Sequence, residues 1–458
     1  MQINERDNVE VDLKSGHKYA LVDIKAGEKV MKYGFPIGHA TEDIKKGEHV
    51  HTHNMKTDLT GKVVAEYQPY TPTLPTKEKT FMGYLREDGS VGIRNEVWII
   101  PTVGCVNGIA KRLAYLTGSK TYIHTWGCSQ MGDDQDLTRK ILCGLINHPN
   151  AGGVLVLGLG CENSNIPEIQ KVLGSWNSDR VKFLNTQDCV DEIEEGKKLI
   201  TQLRAYADKT ERTPVPVSKL KIGLKCGGSD GFSGITANPL VGKVAERFYD
   251  HGSTIMMTEV PEMFGGEKVL FDRCVSREVF ESAAKMVQDF RDYFVSHGES
   301  VAENPSPGNK EGGITTLEEK SLGCVQKGGQ VPVTAVMGMG ETAAESAGLH
   351  LVSGPGNDIV AITNLTASGA HIIMFTTGRG TPLGAPVPTL KVMTNSDIAT
   401  RKPHWTDFNA GVLVDGADME KTADELFALC LETAEGKETT SEKMGCQDIS
   451  IFKDGVIL

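Results

Sequence analysis

The sequence predicts an α/β protein in which a small N-terminal β module precedes a large, doubly wound and mostly parallel α/β region in two parts. A β-prone octapeptide occurs twice near the start, two proline-containing stretches interrupt the chain, and apolar strand-like segments alternate with helical ones after each stretch. Such alternation is typical of a parallel sheet with helices on both faces. We therefore expect domains at residues 1–75, 76–212 and 213–458.

The N-terminal module carries the repeat. DIKAGEKV at residues 23–30 returns as DIKKGEHV at residues 43–50, and each copy places a glycine turn between short β-prone pieces. Two copies are too few for a solenoid, so we expect a compact β unit with internal pseudo-symmetry.

The second copy runs into HVHTHN, residues 49–54, which contains three alternating histidines. On a strand, His49, His51 and His53 share one face, and this spacing suits metal ligation or one ligand and one base. A solvated, polar strand edge would carry the same pattern. We favour a functional role through His51 and His53.

Two proline-containing segments, at residues 66–80 and 212–220, are interpreted as linkers, because neither can pair as a central strand. Apolar segments beyond them are interpreted as buried strands, at residues 97–103, 120–126, 152–160, 221–226, 253–260 and 371–378.

Four of these strands end in a cysteine next to glycine, at Cys105, Cys128, Cys161 and Cys226. In open parallel sheets, ligands bind beyond the carboxyl ends of the strands. The sequence therefore predicts that four thiols face one crevice. Packed cysteines after tight turns are the alternative, since a free cysteine packs as a small hydrophobe.

Charged side chains near strand ends are further candidates. Glu162 could orient a hydroxylated substrate or a metal, although its polar neighbours could equally cap the next helix. Arg86 and Arg94 flank a predicted Asp-Gly hairpin and could bind a carboxylate in a bidentate manner, or belong to a surface hairpin. Glu259 follows a strand and is a candidate carboxylate or a helix-start residue.

Glycine-rich loops add cations. Lys310 in SPGNKEGG and Arg379 in TTGRGTPLG stand where backbone amides can approach an anion. In KCGGSDGFSG, Lys225 and Ser229 are candidate donors, and Asp230 is a candidate acceptor or base. Neither a Walker A pattern nor GxGxxG occurs, so we expect the anion to be a carboxylate or a single acid group.

Composition narrows the function classes. The formal net charge of −12 argues against a nucleic-acid surface. No apolar run approaches the roughly 18 residues needed to span a membrane, and the polar start does not have the character of a secretory signal. Ten cysteines without a CxxC pair indicate reduced thiols, so we expect a cytoplasmic protein with a small-molecule substrate. Thiols, histidines and carboxylates together suit iron(II) or zinc.

Several motifs together resemble those of the altronate/galactarate dehydratase family, namely GYLREDGSVGIRNE, TVGCVN, GLGCEN, LKCGGSDGFSGITANP, SPGNKEGG, SLGC and FTTGRGTPLG. The repeat with HVHTHN is similar to the small β-clip (SAF) domain of that family. The resemblance covers nearly the whole chain. It implies a hydro-lyase that removes water from a 2,3-dihydroxy acid to give a 2-keto-3-deoxy acid, usually with ferrous iron.

Within the family, the length of the chain favours the altronate branch, which converts D-altronate to 2-keto-3-deoxy-D-gluconate. Galactarate or another aldonate or aldarate is the alternative substrate, as is sulfolactate, from which one branch removes sulfite. Fusion of the SAF domain to the large region favours a sugar-acid dehydratase over the sulfolactate branch. A carbohydrate-binding module and a zinc hydrolase are the rival classes, and no HExxH pattern supports the latter.

The residue types and positions of the candidates suggest roles for them in this chemistry. Fe2+, with Mn2+ as a substitute, or an iron–sulfur cluster, would be held among His51, His53, Cys105, Cys128, Cys161 and Cys226. The proton-transferring groups would be among His51, His53, Glu162, Asp230 and Glu259. The substrate would be bound by Arg86, Arg94, Lys225, Ser229, Lys310 and Arg379. We expect a sugar acid as the partner, no nucleic acid or membrane, and a homodimer.

Overall fold

The computed structural model of the chain describes residues 1–59, 62–63 and 65–458. Its N-terminal module contains the strands β1 (Val9–Val11), β2 (Lys18–Ala20), β3 (Lys29–Lys32), β4 (Phe35–Ala40), β5 (His49–Val50) and β6 (Met55–Lys56). They form two antiparallel sheets, in the orders β1-β2-β5 and β3-β4-β6.

The two copies of the repeat contact each other reciprocally. Lys25 Nζ lies 2.9 Å from Asp43 of the second copy, and Lys45 Nζ lies 3.3 Å from Asp23 of the first. The backbones of the two copies also pair through an isolated β-bridge. The predicted pseudo-symmetric β unit is confirmed.

The second region contains the strands β7 (Thr80–Leu85), β8 (Val91–Gly92), β9 (Glu96–Pro101), β10 (Lys120–Thr121), β11 (Ala151–Gly158), β12 (Val181–Asn185) and β13 (Arg212–Pro216). Its helices are α1 (Asn107–Thr117), α2 (Gly132–Asn147), α3 (Ile166–Leu173) and α4 (Glu192–Ala207). One sheet is parallel, in the order β10-β9-β11-β12, and β13, β7 and β8 form a small antiparallel one.

Two predicted segments of this region differ in the structure. Residues 212–220 are not simply a linker, because β13 pairs with β7 at the edge of the small sheet. An edge position tolerates the two prolines of β13. The strand predicted over 120–126 is only β10, because the chain leaves the sheet and the His124 ring hydrogen-bonds to the carbonyl oxygen of Pro101 at 2.8 Å.

The third region contains the strands β14 (Lys221–Cys226), β15 (Thr254–Met257), β16 (Val333–Met337), β17 (Gly348–Val352), β18 (Ile372–Thr377), β19 (Thr389–Met393) and β20 (Phe408–Asn409). Its helices are α5 (Ala237–Asp250), α6 (Glu267–Phe271), α7 (Arg277–Ser296), α8 (Pro307–Glu311), α9 (Leu317–Cys324), α10 (Asp358–Ala367), α11 (Ser396–Arg401), α12 (Met419–Ala434) and α13 (Thr440–Met444). The seven strands form one parallel sheet, in the order β16-β17-β15-β14-β18-β19-β20.

The core of this region is the seven-stranded sheet. Every residue of β15, β17, β18 and β19 is buried, as expected for parallel strands that helices cover on both faces. The strands predicted from the apolar segments at 253–260 and 371–378 are confirmed. Within the part of the chain that the structure describes, no helix combines the length and the apolarity required to cross a bilayer.

Both parallel sheets reverse their winding direction at their first strand. In the larger sheet, β15, β16 and β17 lie on one side of β14, and the chain then returns to place β18 on the other. In the smaller sheet, β9 lies between β10 and β11. Open α/β sheets bind ligands beyond the carboxyl ends of the strands at such switch points. The ends of β14 and β9 are therefore the two expected ligand sites.

A buried ion network joins the N-terminal module to the third region. Lys18 Nζ lies 2.8 Å from one carboxylate oxygen of Glu319, and Lys32 Nζ lies 2.8 Å from the other. All three side chains are at most 1% exposed. Although burial opposes it, the attraction of both ammonium groups lowers the pKa of Glu319 to about 2. One carboxylate of α9 thus fixes the position of the module.

Replacement of Glu319 by glutamine should destabilise the protein. Both ammonium groups would stay buried without an anionic partner, and loss of one partner of a buried pair typically costs about 3–5 kcal/mol. The free energy of unfolding in urea measures the effect. The matched control is Asp43→Asn, which breaks the exposed pair with Lys25 and should leave stability unchanged within error. Equal stability of Glu319→Gln and wild type would contradict the role of the network.

Candidate active site

Strand β14 ends in a group of charged and thiol side chains that are almost completely inaccessible to solvent. We call it the buried charge cluster; its members, each at most 4% exposed, are Lys225, Cys226, Glu259, Glu262, Cys324 and Lys327. They come from the end of β14, the loop after β15, and α9 with the turn that follows it. Buried charges are tolerated only when they are paired.

Glu259 lies at the centre of the cluster. Its carboxylate accepts hydrogen bonds from Lys225 Nζ, from Lys327 Nζ at 3.0 Å and from the backbone N–H of Cys226 at 3.1 Å. Burial raises the pKa of Glu259 to about 7, and the attraction of the two ammonium groups opposes that rise. Its backbone has φ 72°, a left-handed conformation that costs a non-glycine residue about 1–3 kcal/mol and is concentrated at functional sites.

The two thiols of the cluster lie close together. Their sulfur atoms and a carboxylate oxygen of Glu262 all lie within 4.8 Å of one another. Cys324 Sγ lies 2.7 Å from Lys327 Nζ and 3.3 Å from Glu262 Oε2. A hydrogen bond from Cys324, aided by the Lys327 charge, lowers the pKa of Cys226 well below its ordinary value, and the pKa of Cys324 is raised by the same bond. The cluster thus favours one thiolate and one thiol.

A cavity of about 560 Å³ lies against the cluster, beyond the end of β14. Lys320 lines it, with Nζ 2.8 Å from Glu262 and 3.0 and 3.2 Å from the side-chain oxygens of Asn304 and Asn309. Asp358, at the start of α10, also lines it, with 37% of its side chain exposed and one oxygen 2.8 Å from Lys225 Nζ. Its apolar lining comes from Phe290, Tyr293, Phe294, Val301, Leu317 and Phe452.

The donor set of the cluster fits a borderline divalent metal ion such as iron(II) or zinc. Among the described residues, Cys226, Glu262 and Cys324 form the one group of three or more histidine, cysteine or carboxylate side chains close enough to share an ion. Thiolate and carboxylate donors suit borderline divalent metals. The ammonium groups of Lys320 and Lys327 contact two of these three donors and supply positive charge next to them.

Three family models match the chain in succession: the altronate/galactarate dehydratase SAF domain at residues 1–58, the D-galactarate dehydratase/altronate hydrolase second domain at 83–208, and the D-galactarate/altronate dehydratase C-terminal domain at 217–457. The chain belongs to the altronate/galactarate dehydratase family. As a member of this family it is an enzyme of the hydro-lyase class.

Curated relatives support this membership. The chain is 48% identical over 464 residues to the altronate dehydratase of Bacillus subtilis (strain 168), which covers 98% of this chain and 93% of that one. It is 46% identical over 468 residues to the altronate dehydratase of Escherichia coli (strain K12), with 99% and 94% covered. It is 31% identical over 479 residues to the galactarate dehydratase (L-threo-forming) of Escherichia coli (strain K12), with 96% and 90% covered.

The structure brings together four of the site residues that the sequence suggested for this dehydratase-family chain: Lys225, Cys226, Ser229 and Glu259. Ser229 Oγ lies 2.7 Å from Cys226 Sγ. Lys225, predicted to bind the acid group of a substrate, contacts Glu259, Asp358 and its neighbour's carbonyl oxygen instead. Its ammonium group therefore stabilises the cluster through these contacts and does not itself line the cavity.

Asp230 and Arg379 line a different and larger cavity, of about 1040 Å³. The Asp230 carboxylate accepts hydrogen bonds from Thr394 and Asn395, both at 2.9 Å, and burial raises its pKa. Arg379 pairs with Glu311 at 2.9 Å on the surface. No member of the buried charge cluster lines this cavity, so the smaller cavity is the better candidate for the active site.

The histidines do not have the predicted arrangement. The strand ends before His51, so the predicted strand alternation is wrong, although the rings of His51 and His53 both still lie against that of His49. His51 Nε2 lies 2.8 Å from the carbonyl oxygen of Lys310, and Nδ1 accepts a hydrogen bond from the Thr52 N–H at 2.7 Å. Because both ring nitrogens have partners, His51 joins the N-terminal module to the loop that carries Lys310 rather than presenting a ligand atom.

Three other histidines of the module, His17, His49 and His53, form an imidazole group, and the sequence pattern missed His17. His17 Nδ1 lies 3.0 Å from His49 Nε2, and the rings of His49 and His53 stack with centroids 5.6 Å apart. His53 is exposed. The described residues contain no third donor close enough to these nitrogens to complete an ion site.

The prediction that four thiols face one crevice is wrong. Cys226 is buried on the seven-stranded sheet, whereas Cys105, Cys128 and Cys161 are exposed beyond the four-stranded one. Glu162 next to them is buried, and its carboxylate accepts hydrogen bonds from the Thr102 hydroxyl and from two backbone N–H groups of its own turn. The Glu162 carboxylate therefore stabilises that turn.

Arg86 and Arg94 have partners within the fold. Arg86 donates to the carbonyl oxygens of Pro149 and Arg94 and to Asn95. Arg94 forms an ion pair with Glu442 at 2.8 Å. The predicted hairpin exists, with β7 and β8 antiparallel, and the two arginines attach it to the second and third regions.

Five residues near the cavity escaped the sequence interpretation: Glu262, Lys320, Cys324, Lys327 and Asp358. Lys320, Cys324 and Lys327 have the i, i+4, i+7 spacing of one helix face, and this signal could have found them. Asp358 follows β17 in the sequence SGPGND, a glycine-rich strand end like that of β14.

Proposed function

We propose that this enzyme converts D-altronate to 2-keto-3-deoxy-D-gluconate in the cavity beside the buried charge cluster. The observation that carries the proposal is the 46–48% identity, over nearly the full length of both chains, to two altronate dehydratases. Identity to the galactarate dehydratase is lower, at 31%, and galactarate is the second candidate substrate.

Lys320 and its amide neighbours suit the substrate carboxylate. The Lys320 ammonium group lines the cavity, and the side chains of Asn304 and Asn309 lie within hydrogen-bonding distance of it. In the structure the Lys320 ammonium group donates to the two amide oxygens and to Glu262, so the substrate carboxylate would replace the amide oxygens as its partner. We place the carboxylate of the sugar acid at Lys320.

Asp358 is the carboxylate best placed for proton transfer. Both oxygens of Glu259 are occupied inside the cluster, so Glu259 positions the lysines instead. Asp358 reaches the cavity, and one of its carboxylate oxygens lies 2.8 Å from the Lys225 ammonium group. Asp358 takes the C2 proton, returns it to the departing 3-hydroxyl to release water, and the resulting enol tautomerises to the 2-keto acid.

Cys226, Glu262 and Cys324 would hold the ferrous ion. When bound, the ion would act as a Lewis acid that stabilises negative charge on the substrate oxygens. All three side chains are buried, and the ammonium groups of Lys320 and Lys327 lie against Glu262 and Cys324.

Release of 2-keto acid from altronate by anaerobically purified protein with ferrous iron tests the assignment. We expect kcat/KM to be higher for altronate than for galactarate and for other aldonates. If the enzyme turns over galactarate faster than altronate, galactarate becomes the assigned substrate. Absence of keto acid from every sugar acid, by protein that retains its folded state, would contradict the proposed function.

Replacement of Asp358 by asparagine should lower kcat on altronate by about 10²–10⁴-fold, the usual contribution of a general acid–base group, with a small effect on KM. The matched control is Asp397→Asn, an exposed carboxylate of the larger cavity, which should keep wild-type kcat. Wild-type kcat in Asp358→Asn would exclude it as the proton carrier, and thermal unfolding of both variants checks that they fold.

Replacement of Glu262 by glutamine should weaken the metal site. We expect the ferrous concentration that gives half-maximal activity to rise by at least about 10–100-fold, the loss typical when a partner outside the ligand shell is changed. Glu311→Gln, at the exposed rim of the larger cavity, should leave that concentration unchanged. An unchanged value in Glu262→Gln would show that the metal does not bind at the buried charge cluster.

A further inference from the structure

The four-stranded sheet of the second region has its own switch point, and cysteines lie in the turns beyond it. Cys105 follows β9, Cys128 lies in the loop after β10, and Cys161 follows β11, so three adjacent parallel strands each lead into one cysteine. We call these three residues the thiol edge. The crevice beyond a switch point is the ligand site of an open α/β sheet, and the proposed function does not use this one.

The three turns of the thiol edge are fastened to one another. The backbone N–H of Gly104 donates to the carbonyl oxygen of Trp126 at 3.1 Å, and that of Ser164 donates to Gly127 at 2.9 Å. Gly127 has φ 105°, and a side chain there would overlap the carbonyl oxygen of Thr102. The turns therefore pack at a distance that only glycine permits.

Side-chain contacts extend this arrangement to the thiols. The Asn163 side-chain oxygen, in the turn of Cys161, lies 3.3 Å from Cys128 Sγ and 2.8 Å from the backbone N–H of Ser129. Ser129 has φ 62°, a left-handed conformation that is strained for serine. Gln187 Nε2, beyond β12, lies 3.5 Å from Cys161 Sγ. These contacts position the thiols of Cys128 and Cys161, and the turn of Cys105 is held beside them through the backbone of Gly104.

The exposure of these thiols is unusual. All ten cysteines are described, and the exposed ones are the three of the thiol edge; the others are buried or half-buried. Free cysteines are ordinarily among the most buried residues. Three exposed thiols on three connected turns are therefore a candidate ligand-binding site.

The ligand that fits is a cluster rather than a single ion. The three thiols are not close enough together to share one ion, since that spacing occurs among the described residues only at Cys226, Glu262 and Cys324. In an iron–sulfur cluster each thiolate binds a different iron atom, so the sulfur atoms need not meet at one point. The helices α1, α2 and α3 also begin at this edge, and their N-termini favour the negative charge of thiolates.

We propose that Cys105, Cys128 and Cys161 hold a [4Fe–4S] cluster through three thiolates, each formed by loss of the thiol proton. The fourth iron then has no cysteine ligand and is open to a small oxygen ligand. The site is separate from the proposed active site, which belongs to the other sheet, and its test does not depend on turnover.

Acid-labile sulfide is the decisive readout, because an iron ion at the buried charge cluster contributes none. Full-length protein is purified without oxygen, incubated with iron salt and sulfide, and desalted. We expect about four sulfides per chain, together with the electron paramagnetic resonance signal of a reduced cluster. Cys105→Ser, Cys128→Ser and Cys161→Ser should each lose most of the sulfide.

Two matched controls should keep the sulfide. Cys189→Ser removes the cysteine beyond β12, whose half-buried thiol contacts the carbonyl oxygen of Asn185 at 3.2 Å, and Cys226→Ser removes the thiol of the other sheet. Alkylation of the wild type, read by mass spectrometry, provides a second measurement, in which the loaded protein should protect all three thiols of the edge. Sulfide-free wild type, equal loss in Cys189→Ser, or unprotected thiols in loaded protein would overturn the proposal.

Discussion

The rest of the site depends on one buried carboxylate, that of Glu259, which neutralises the ammonium groups of Lys225 and Lys327. Neither lysine could remain charged without water or a counter-ion. Because Glu259 also accepts the backbone N–H of Cys226, it ties the end of β14 to the turn after α9. Lys225 is thereby directed at Asp358, and Lys327 lies against Cys324. A single acid thus connects a candidate proton carrier that lines the cavity with two thiols buried behind it.

Both parallel sheets have a switch point at their first strand, but the side chains that lie at the two switch points differ. In the larger sheet, the strand at the switch point ends in a buried thiol that belongs to a cluster of paired charges beside a partly apolar cavity. In the smaller sheet, the corresponding strand and its neighbours deliver exposed thiols on turns fastened by backbone hydrogen bonds. The N-terminal module contributes to neither set directly. It is held in place by Glu319 and contacts the loop around Lys310 through His51.

Sequence reasoning predicted what depends on local pattern. Continuous apolar strands alternating with helices indicated both parallel sheets, and the octapeptide repeat indicated a compact, pseudo-symmetric β unit. Lys225 and Glu259 were recognised because each lies at or beside a strand end. Their partner Lys327 was not, because its proximity arises from the packing of α9 against the loop after β15, across a long stretch of sequence. Similarly, alternation predicted a strand through the three histidines. The strand ends before His51, and the His51 ring contacts the carbonyl oxygen of Lys310 in the third region.

Anomalous X-ray diffraction at the iron edge, on crystals grown without oxygen in the presence of ferrous iron and altronate, tests the central claim most directly. The claim is that dehydration takes place at the buried charge cluster. It predicts an iron peak between Cys226, Glu262 and Cys324, with the sugar acid in the adjoining cavity and its carboxylate at Lys320. Altronate bound in the larger cavity beside Asp230 and Arg379, with the charge cluster free of metal, would contradict it.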